Sequence, residues 1–410
     1  MNSTRRDFFK AALLLPAGAY MARFQALAAP YTQRVKIKAI KTMQLDIPDD
    51  GCPIKIETDA GLVGYGEAGV TAKMARARIE DFQGILLGQD PLAIERHFYM
   101  MTAQQHSFMA SIPTISGIDI ALWDLAGKIS DKPLYRLLGG PMREAAPIYS
   151  HGRPGNMFDL GSCRAWVQKV REAPEGFTAF KFEVTSAGVV DQLPFTETLG
   201  GSDFKKVAKA FANLRTAMGD DLDIAMHCHG QFDVPSAIGL CKAIEPVDPL
   251  WVEDPLNVPY SEAWLELKRA TRDPILTGEK LEMVSGFRPF LDHGAVDIIH
   301  PDVAFAGGIT GCKKIADYAA LTRTPMALHN GGGSLIRFYA SAHLSGAVEN
   351  FFKIENGLGE IHGYREKMAA GKEPVIRKGV MQFPEGPGLG LQINEDWLRQ
   401  HMAKGETWWR

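Results

Sequence analysis

Between Arg34 and Glu67 apolar and polar positions alternate in short runs, separated by two turn-rich stretches, Pro48-Asp49-Asp50-Gly51 and Asp59-Ala60-Gly61. A period of two sends one face of each run to a core and the other to water, so this stretch predicts a three-stranded meander. The period then lengthens. Helical spacing covers Thr71 to Leu87 and again Pro113 to Ser130, where Ile115, Ile118, Ile120, Leu122, Trp123 and Leu125 supply an apolar surface. These elements predict an α+β N-terminal domain over 29–145, its last element ending near Arg143.

From residue 146 the pattern becomes strand then helix, repeated, with short apolar runs followed by amphipathic segments, which is the signature of a parallel sheet. Candidate strands end near Lys181, His227, Glu253, Glu279, Asp302, His329 and Glu355, and from His227 onward these polar closing residues recur every 23 to 27 positions. One strand-helix unit separates each pair. The expected fold is therefore α/β: a (β/α)7β TIM-like barrel over 146–357 with an N-terminal α+β capping domain, and a segment 358–410 returning to that domain. In such barrels the C-terminal strand ends form one site, so the seven polar ends converge. The wider gap before His227 holds a Gly-, Ser- and Thr-rich stretch, Thr185 to Asp203, read as an insertion at the same face.

Composition narrows the ligand. A 410-residue chain that is 46% hydrophobic has ample material for a large core, and a formal net charge of -3 with pI near 6.4 offers no basic field for nucleic acid. A small molecule is the expected partner. The five cysteines, Cys52, Cys163, Cys228, Cys241 and Cys312, are scattered and contain no CxxC pair, so they read as core thiols. At the N-terminus Ser3 to Lys10, with Arg5-Arg6 followed by Asp7-Phe8-Phe9, precedes the apolar run Ala11 to Met21 and an A-x-A site at Ala26-Leu27-Ala28. That resembles a twin-arginine signal over 1–28, which implies an exported, periplasmic mature protein starting near Ala29. The apolar run is too short to span a bilayer comfortably, and no other stretch approaches transmembrane length.

Several motifs carry a family resemblance. Gly117-Ile118-Asp119-Ile120-Ala121-Leu122-Trp123-Asp124-Leu125-Ala126-Gly127-Lys128, followed by Leu137-Leu138-Gly139-Gly140, resembles the first signature of the mandelate racemase and muconate lactonizing enzymes of the enolase superfamily. Trp251-Val252-Glu253-Asp254-Pro255-Leu256 and Thr277-Gly278-Glu279 resemble the strands with the second and third metal ligands. His300-Pro301-Asp302-Val303 resembles the sixth strand, and Ala327-Leu328-His329 the seventh. The resemblance implies Glu253 and Glu279 as metal ligands, a base dyad of His329 and Asp302, Glu355 as a protonated acid hydrogen-bonding the substrate carboxylate, and Lys181 as the first lysine of a K-x-K pair. The chemistry agrees, because removal of a proton beside a carboxylate develops charge that a divalent cation meets well. Enolase-superfamily sites are the standing example of a Lys or His base working with Mg²⁺. A homo-oligomer is implied by analogy only.

Two departures limit the carry-over. Lys181-Phe182-Glu183 puts glutamate where racemases have their second lysine, which disfavours a two-base racemase. In Ile224-Ala225-Met226-His227-Cys228-His229, His227 occupies the position of the usual aspartate metal ligand. An imidazole there lowers the ligand charge and shifts preference from Mg²⁺ toward Mn²⁺, Fe²⁺ or Zn²⁺. His229, expected two residues along the same strand face, matches the position where D-galactonate dehydratases carry a general acid; joining the metal or lining the pocket are its other readings.

Three functions stay open on the sequence. The first is dehydration of a sugar acid to a 2-keto-3-deoxy acid. The second is an epimerase or cycloisomerase using the same enediolate, with Lys181 or Glu183 on the opposite face. The third is a periplasmic carboxylate-binding protein without catalysis. Specificity is expected to come from Pro48 to Cys52, Gly66 to Lys73 and Thr185 to Asp203.

Overall fold

The computed structural model describes residues 35–47, 51–103, 109–187, 196–332, 334–356, 368–370 and 376–410. The stretch 1–28 expected to be a signal, and parts of the stretches 48–52 and 185–203 expected to set specificity, lie outside these residues.

The capping domain is built on an antiparallel sheet of β1 (Ile37–Thr42), β2 (Cys52–Thr58) and β3 (Val63–Ala68), in that order. Helices α1 (Ala72–Leu86), α2 (Ile94–Thr102) and α3 (Ile112–Ser130) follow, then a single turn, α4 (Leu134–Leu137). The apolar positions Ile94, Phe98 and Met101 of α2 are buried at helical spacing, a signal that the sequence reading passed over. Helix α3 is buried around most of its circumference, which suits its place between this sheet and the barrel. It lies against β3 at backbone contact. A Cβ on Gly64 would come within 2.2 Å of the Ala121 carbonyl oxygen, and one on Gly66 within 1.9 Å of that of Gly117. Only glycine lets strand and helix approach so closely.

The barrel consists of eight parallel strands: β4 (Ala145–His151), β5 (Ala179–Glu183), β6 (Asp223–His227), β7 (Trp251–Glu253), β8 (Ile275–Thr277), β9 (Ile298–Ile299), β10 (Met326–Leu328) and β11 (Phe351–Glu355). Pairing of β11 with β4 closes the sheet. Seven helices occupy the crossovers: α5 (Leu160–Glu172), α6 (Gly201–Met218), α7 (Val234–Ile244), α8 (Glu262–Ala270), α9 (Met283–His293), α10 (Gly308–Leu321) and α11 (Leu335–Ser345). This is the (β/α)7β barrel that the sequence predicts.

A period of two fills the barrel axis in layers. Tyr149, Ala179, Ala225, Trp251, Leu276, Ile298 and Ala327 form one apolar cluster inside the barrel. The residue two places farther along the chain is His151, Lys181, His227, Glu253, Gly278, His300 or His329. Large and small side chains thus make a dry floor, and the polar layer sits directly above it.

The chain ends by returning to its start. Hairpin β12 (Ile376–Arg377) and β13 (Val380–Gln382) adds antiparallel to β4. Helix α12 (Glu395–Gln400) and the last residues then reach the cap, where the Thr42 amide donates to the Arg410 carbonyl at 2.8 Å and Arg76 pairs with Glu406 at 2.8 Å. All five cysteines are buried free thiols. Among the described residues no helix is long and apolar enough to cross a membrane.

Candidate active site

The polar layer at the C-terminal strand ends divides into two groups. On the first side, Asp302 follows β9 and is fully buried. Its Oδ2 accepts from His329 Nδ1 at 2.6 Å, and its Oδ1 accepts from Arg337 Nε and from the Ala304 amide at 2.9 and 2.8 Å. With Nδ1 committed to Asp302, Nε2 is the His329 ring nitrogen that faces into the site. A Cβ on Gly331 would stand 2.8 Å from that nitrogen, so the glycine keeps its approach open. His329 Nε2 lies 3.3 Å from Glu279 Oε2 and 3.5 Å from Glu355 Oε2.

The capping domain braces this side. Glu67, buried on β3, accepts from the Ser334 amide at 2.9 Å and from its hydroxyl, while the Ser334 hydroxyl accepts from Ile336 N and caps α11, the helix that carries Arg337. Asp119 on α3 accepts from the Thr310 amide at 2.9 Å and its hydroxyl at 2.6 Å, and Ser116 accepts from the Gly307 amide at 3.0 Å. These bonds fix the loop between Asp302 and α10. Burial pushes the Asp119 carboxyl up to about 7 against the bonds from Thr310 that favour its charge.

Between the two groups lies a buried ion-pair core. Lys181 Nζ is 2.8 Å from Glu253 Oε1 and 2.6 Å from Glu355 Oε1. Burial works against its charge, yet the two carboxylates outweigh it and hold the ammonium protonated. Glu355 also faces His151 Nε2 at 2.5 Å and accepts from the Asn330 amide at 3.0 Å. Burial would raise its carboxyl, but Lys181, His329 and His151 bring it well below the ordinary range. This differs from the protonated donor that the resemblance implies: the groups around Glu355 favour its ionised, accepting form. Its partner His151, which closes the first barrel strand, was missed in the sequence because that strand was given no polar end. Glu253 Oε2 accepts from Trp251 Nε1 at 3.0 Å, and Oε1 stands 3.5 Å from His300 Nδ1, whose Nε2 meets Tyr149 Oη at 3.0 Å.

The second side is nitrogen-rich. His227 Nε2 is 3.6 Å from Glu253 Oε1 and 3.5 Å from Glu279 Oε2, while its Nδ1 is 3.3 Å from Glu183 Oε1. His229 is not on the strand face expected of it. Strand β6 ends at His227, and a left-handed backbone at His229, with φ of 54°, folds its ring onto that of His227 at a centroid distance of 3.7 Å. His229 Nδ1 then faces Glu183 Oε2 at 3.1 Å. Burial raises the Glu183 carboxyl, but the two imidazoles outweigh burial and hold it well below its ordinary value.

A divalent cation suits the atoms around His227 Nε2. Ligands about 2.1 Å from one cation stand roughly 3.0 to 3.5 Å apart in octahedral or tetrahedral geometry, close to the separations of this nitrogen from Glu279 and Glu253. His227 Nε2 and Asp254 Oδ2 are buried without hydrogen-bond partners among the described residues. Ligand atoms of His227, Asp254 and Glu279 all lie within 4.8 Å of one another. Asp254, whose Oδ1 is held by Thr277 at 2.5 Å, is a further donor that the sequence reading left unassigned. Lys280, beside Glu279 at 3.8 Å, lines a cleft of about 690 Å³ that runs between barrel and cap past Ile112, Val258 and Met283.

The comparisons agree with this architecture. Residues 40–139 match the mandelate racemase / muconate lactonizing enzyme N-terminal domain, and residues 164–397 match the enolase C-terminal domain-like family. The chain is 33% identical over 382 residues to D-xylonate dehydratase of Haloferax volcanii, covering 91% of each. It is 32% identical over 394 residues to D-galactonate dehydratase of Pectobacterium atrosepticum, covering 91% of this chain and 96% of the relative. A crystal structure of a mandelate racemase/muconate lactonizing enzyme-like protein from Rubrobacter xylanophilus superposes with a TM-score of 0.83 at 30% identity, covering 92% of this chain and 100% of the other. Members of this superfamily use a divalent metal, and the sugar-acid dehydratases among them are lyases. With both family models matched and a third of its residues shared with named dehydratases, the chain is an enzyme of the mandelate racemase/muconate lactonizing enzyme family, in the enolase superfamily.

Proposed function

We propose that the enzyme dehydrates a sugar acid to the 2-keto-3-deoxy acid with the help of a divalent cation. The observation that carries this is the His329–Asp302–Arg337 arrangement, which turns His329 Nε2 into the site 3.3 Å from Glu279, at the edge of the donor cluster around His227. The D-xylonate and D-galactonate dehydratases similar to this chain supply the substrate class.

His329 Nε2 takes the proton from the carbon next to the substrate carboxylate, and Asp302 stabilises the imidazolium that forms. Lys181 supplies fixed positive charge to the polar floor on which that carboxylate would rest. A divalent cation would be held by Glu279 with Glu253 or Asp254, and by His227 where its Nε2 lone pair is free, and would supply positive charge beside the substrate carboxylate; Mg²⁺ is the family's metal, and the His227 nitrogen also suits Mn²⁺. His229 gives a proton to the departing β-hydroxyl, which leaves as water. The resulting enol takes up a proton at the former β-carbon and becomes the keto acid. Lys181 is pinned between Glu253 and Glu355, and Glu183 faces two imidazoles. Neither is free to act as a second base, which supports dehydration over epimerisation. The twin-arginine-like pattern at the N-terminus supports a periplasmic location for this reaction.

Incubation of the mature enzyme with Mg²⁺ or Mn²⁺ and a panel of aldonic acids in D₂O, followed by mass spectrometry, tests the reading. Loss of water from at least one acid is expected with wild type, and none with His329→Asn or after chelation. Deuterium uptake without water loss would replace dehydration by epimerisation. Turnover that survives thorough chelation would remove the cation from the mechanism.

A further inference from the structure

The carboxylates around His227 Nε2 use only one edge of that ring. On the other edge lies a second set of ligand-type atoms. Glu183 and His227 are register partners on neighbouring strands β5 and β6, which fixes their side chains next to each other above the barrel floor. The third member, His229, arrives through the left-handed turn that stacks its ring on His227.

Hydrogen bonding accounts poorly for this grouping. His229 Nδ1 and Glu183 Oε2 face each other as an ion pair at 3.1 Å, and neither atom has an aligned hydrogen-bond partner among the described residues. The one hydrogen bond in the group, from His227 Nδ1 to Glu183 Oε1, is long at 3.3 Å. On this edge of the ring His229 Nδ1 and Glu183 Oε2 are thus left without a hydrogen bond, and holding them buried against each other is costly without a ligand. Ligand atoms of Glu183, His227 and His229 nevertheless all fall within 4.8 Å of one another. Two imidazoles and one carboxylate favour borderline transition metals that accept nitrogen, whereas the cluster of Asp254 and Glu279 is oxygen-rich and suits a harder cation.

We propose that Glu183, His227 and His229 form a second cation site, selective for a nitrogen-accepting divalent transition metal such as Zn²⁺, Fe²⁺ or Co²⁺. A neutral imidazole has one lone pair to give. When His227 serves this site through Nδ1, the carboxylates Glu253, Asp254 and Glu279 remain for an oxygen-preferring cation on the other side. Coordination of His229 through Nδ1 leaves the hydrogen on its Nε2. The site therefore does not depend on which acid is dehydrated, and it stands or falls without substrate.

Co²⁺ is the probe. Metal-stripped enzyme is dialysed against Co²⁺ with Mg²⁺ in large excess, and retained cobalt is measured by elemental analysis and by visible absorption. Wild type is expected to keep one Co²⁺ per chain, with the intense bands of low coordination. Glu183→Gln and His229→Asn should each weaken retention by about tenfold or more, and Glu279→Gln should leave it within about twofold. Thermal melts of each variant identify any that misfolds; His229 lies after the strand and about one-third of its side chain is exposed, so its variant is informative even if Glu183→Gln is unstable. No cobalt retained against Mg²⁺, or retention abolished by Glu279→Gln and untouched by the other two, would overturn the site. Dehydration assayed separately with Mg²⁺ keeps this outcome distinct from failure of the proposed reaction.

Discussion

The two sides of the barrel mouth are built from similar residues and held in different ways. On the sixth- and seventh-strand side, both oxygens of Asp302 are bonded, His329 has one committed nitrogen, and the capping domain braces the surrounding loops through Glu67, Ser116 and Asp119. On the second- and third-strand side, Glu183, His227 and His229 crowd together, and one buried atom of each lacks a hydrogen-bond partner among the described residues. A group that must accept a proton at one defined angle gains from being fixed in advance. Atoms waiting for a ligand keep their lone pairs. On the reading proposed above, the difference separates a base, complete within the chain, from a binding site that needs another component.

The largest effects are expected where the fixed side is broken. His329→Asn should abolish detectable α-proton exchange and turnover. Asp302→Asn keeps the shape but removes the charge facing Nδ1, allowing the ring its other tautomer, and turnover should fall by about 10³-fold or more. Single-turnover kinetics with exchange measured in parallel would show both losses together. An Asp302→Asn enzyme within tenfold of wild type would mean that the base is not this histidine.

Next in size comes His229→Asn, which separates the two sides. If His229 only delivers the proton to the leaving hydroxyl, water loss should fall by about 10²-fold while exchange at the α-carbon continues. The ratio of deuterium incorporated to water lost is the readout. Equal loss of both would show that the nitrogen-rich side is required for deprotonation too, and the division drawn here would fail.

How much of this could be read from the chain follows the same division. Strand ends were legible because a period of two lifts alternate residues above an apolar floor, so Lys181, His227, Glu253, His329 and Glu355 declare themselves by position. Features that depend on packing between elements were not. Arg337 sits on helix α11, and its reach to Asp302 depends on how that helix docks and is capped by Ser334. His151 closes the first barrel strand outside the regular spacing. The position of His229 was expected from strand period, yet β6 has already ended and a left-handed turn sets the ring. Glu355 was assigned a proton by resemblance, and it takes the ion pair with Lys181 and the contact with His151 to see that its surroundings favour the charged form.

The smallest effect tests the brace on the fixed side. Asp119 is completely buried, and its carboxyl is raised from an ordinary 3.8 to about 7 because burial penalises its charge more than Thr310 favours it. In the unfolded chain the same group ionises near 3.8, so between that value and about 7 the folded state binds more protons, and stability falls as pH rises. About three pKa units correspond to at most on the order of 4 kcal/mol, fully present below pH 3.8 and spent by about pH 7. Asp119→Asn removes the titration and sets an amide against the Thr310 N–H, which costs about 1 to 3 kcal/mol at every pH. The variant should therefore melt below wild type at acid pH, and the gap should narrow as pH approaches neutrality. Melting both proteins across this window isolates Asp119 from other titrating groups, because they are common to both. A gap independent of pH would mean that Asp119 is ionised throughout in the fold, and that α3 holds the loop after Asp302 by charge as well as by hydrogen bonds.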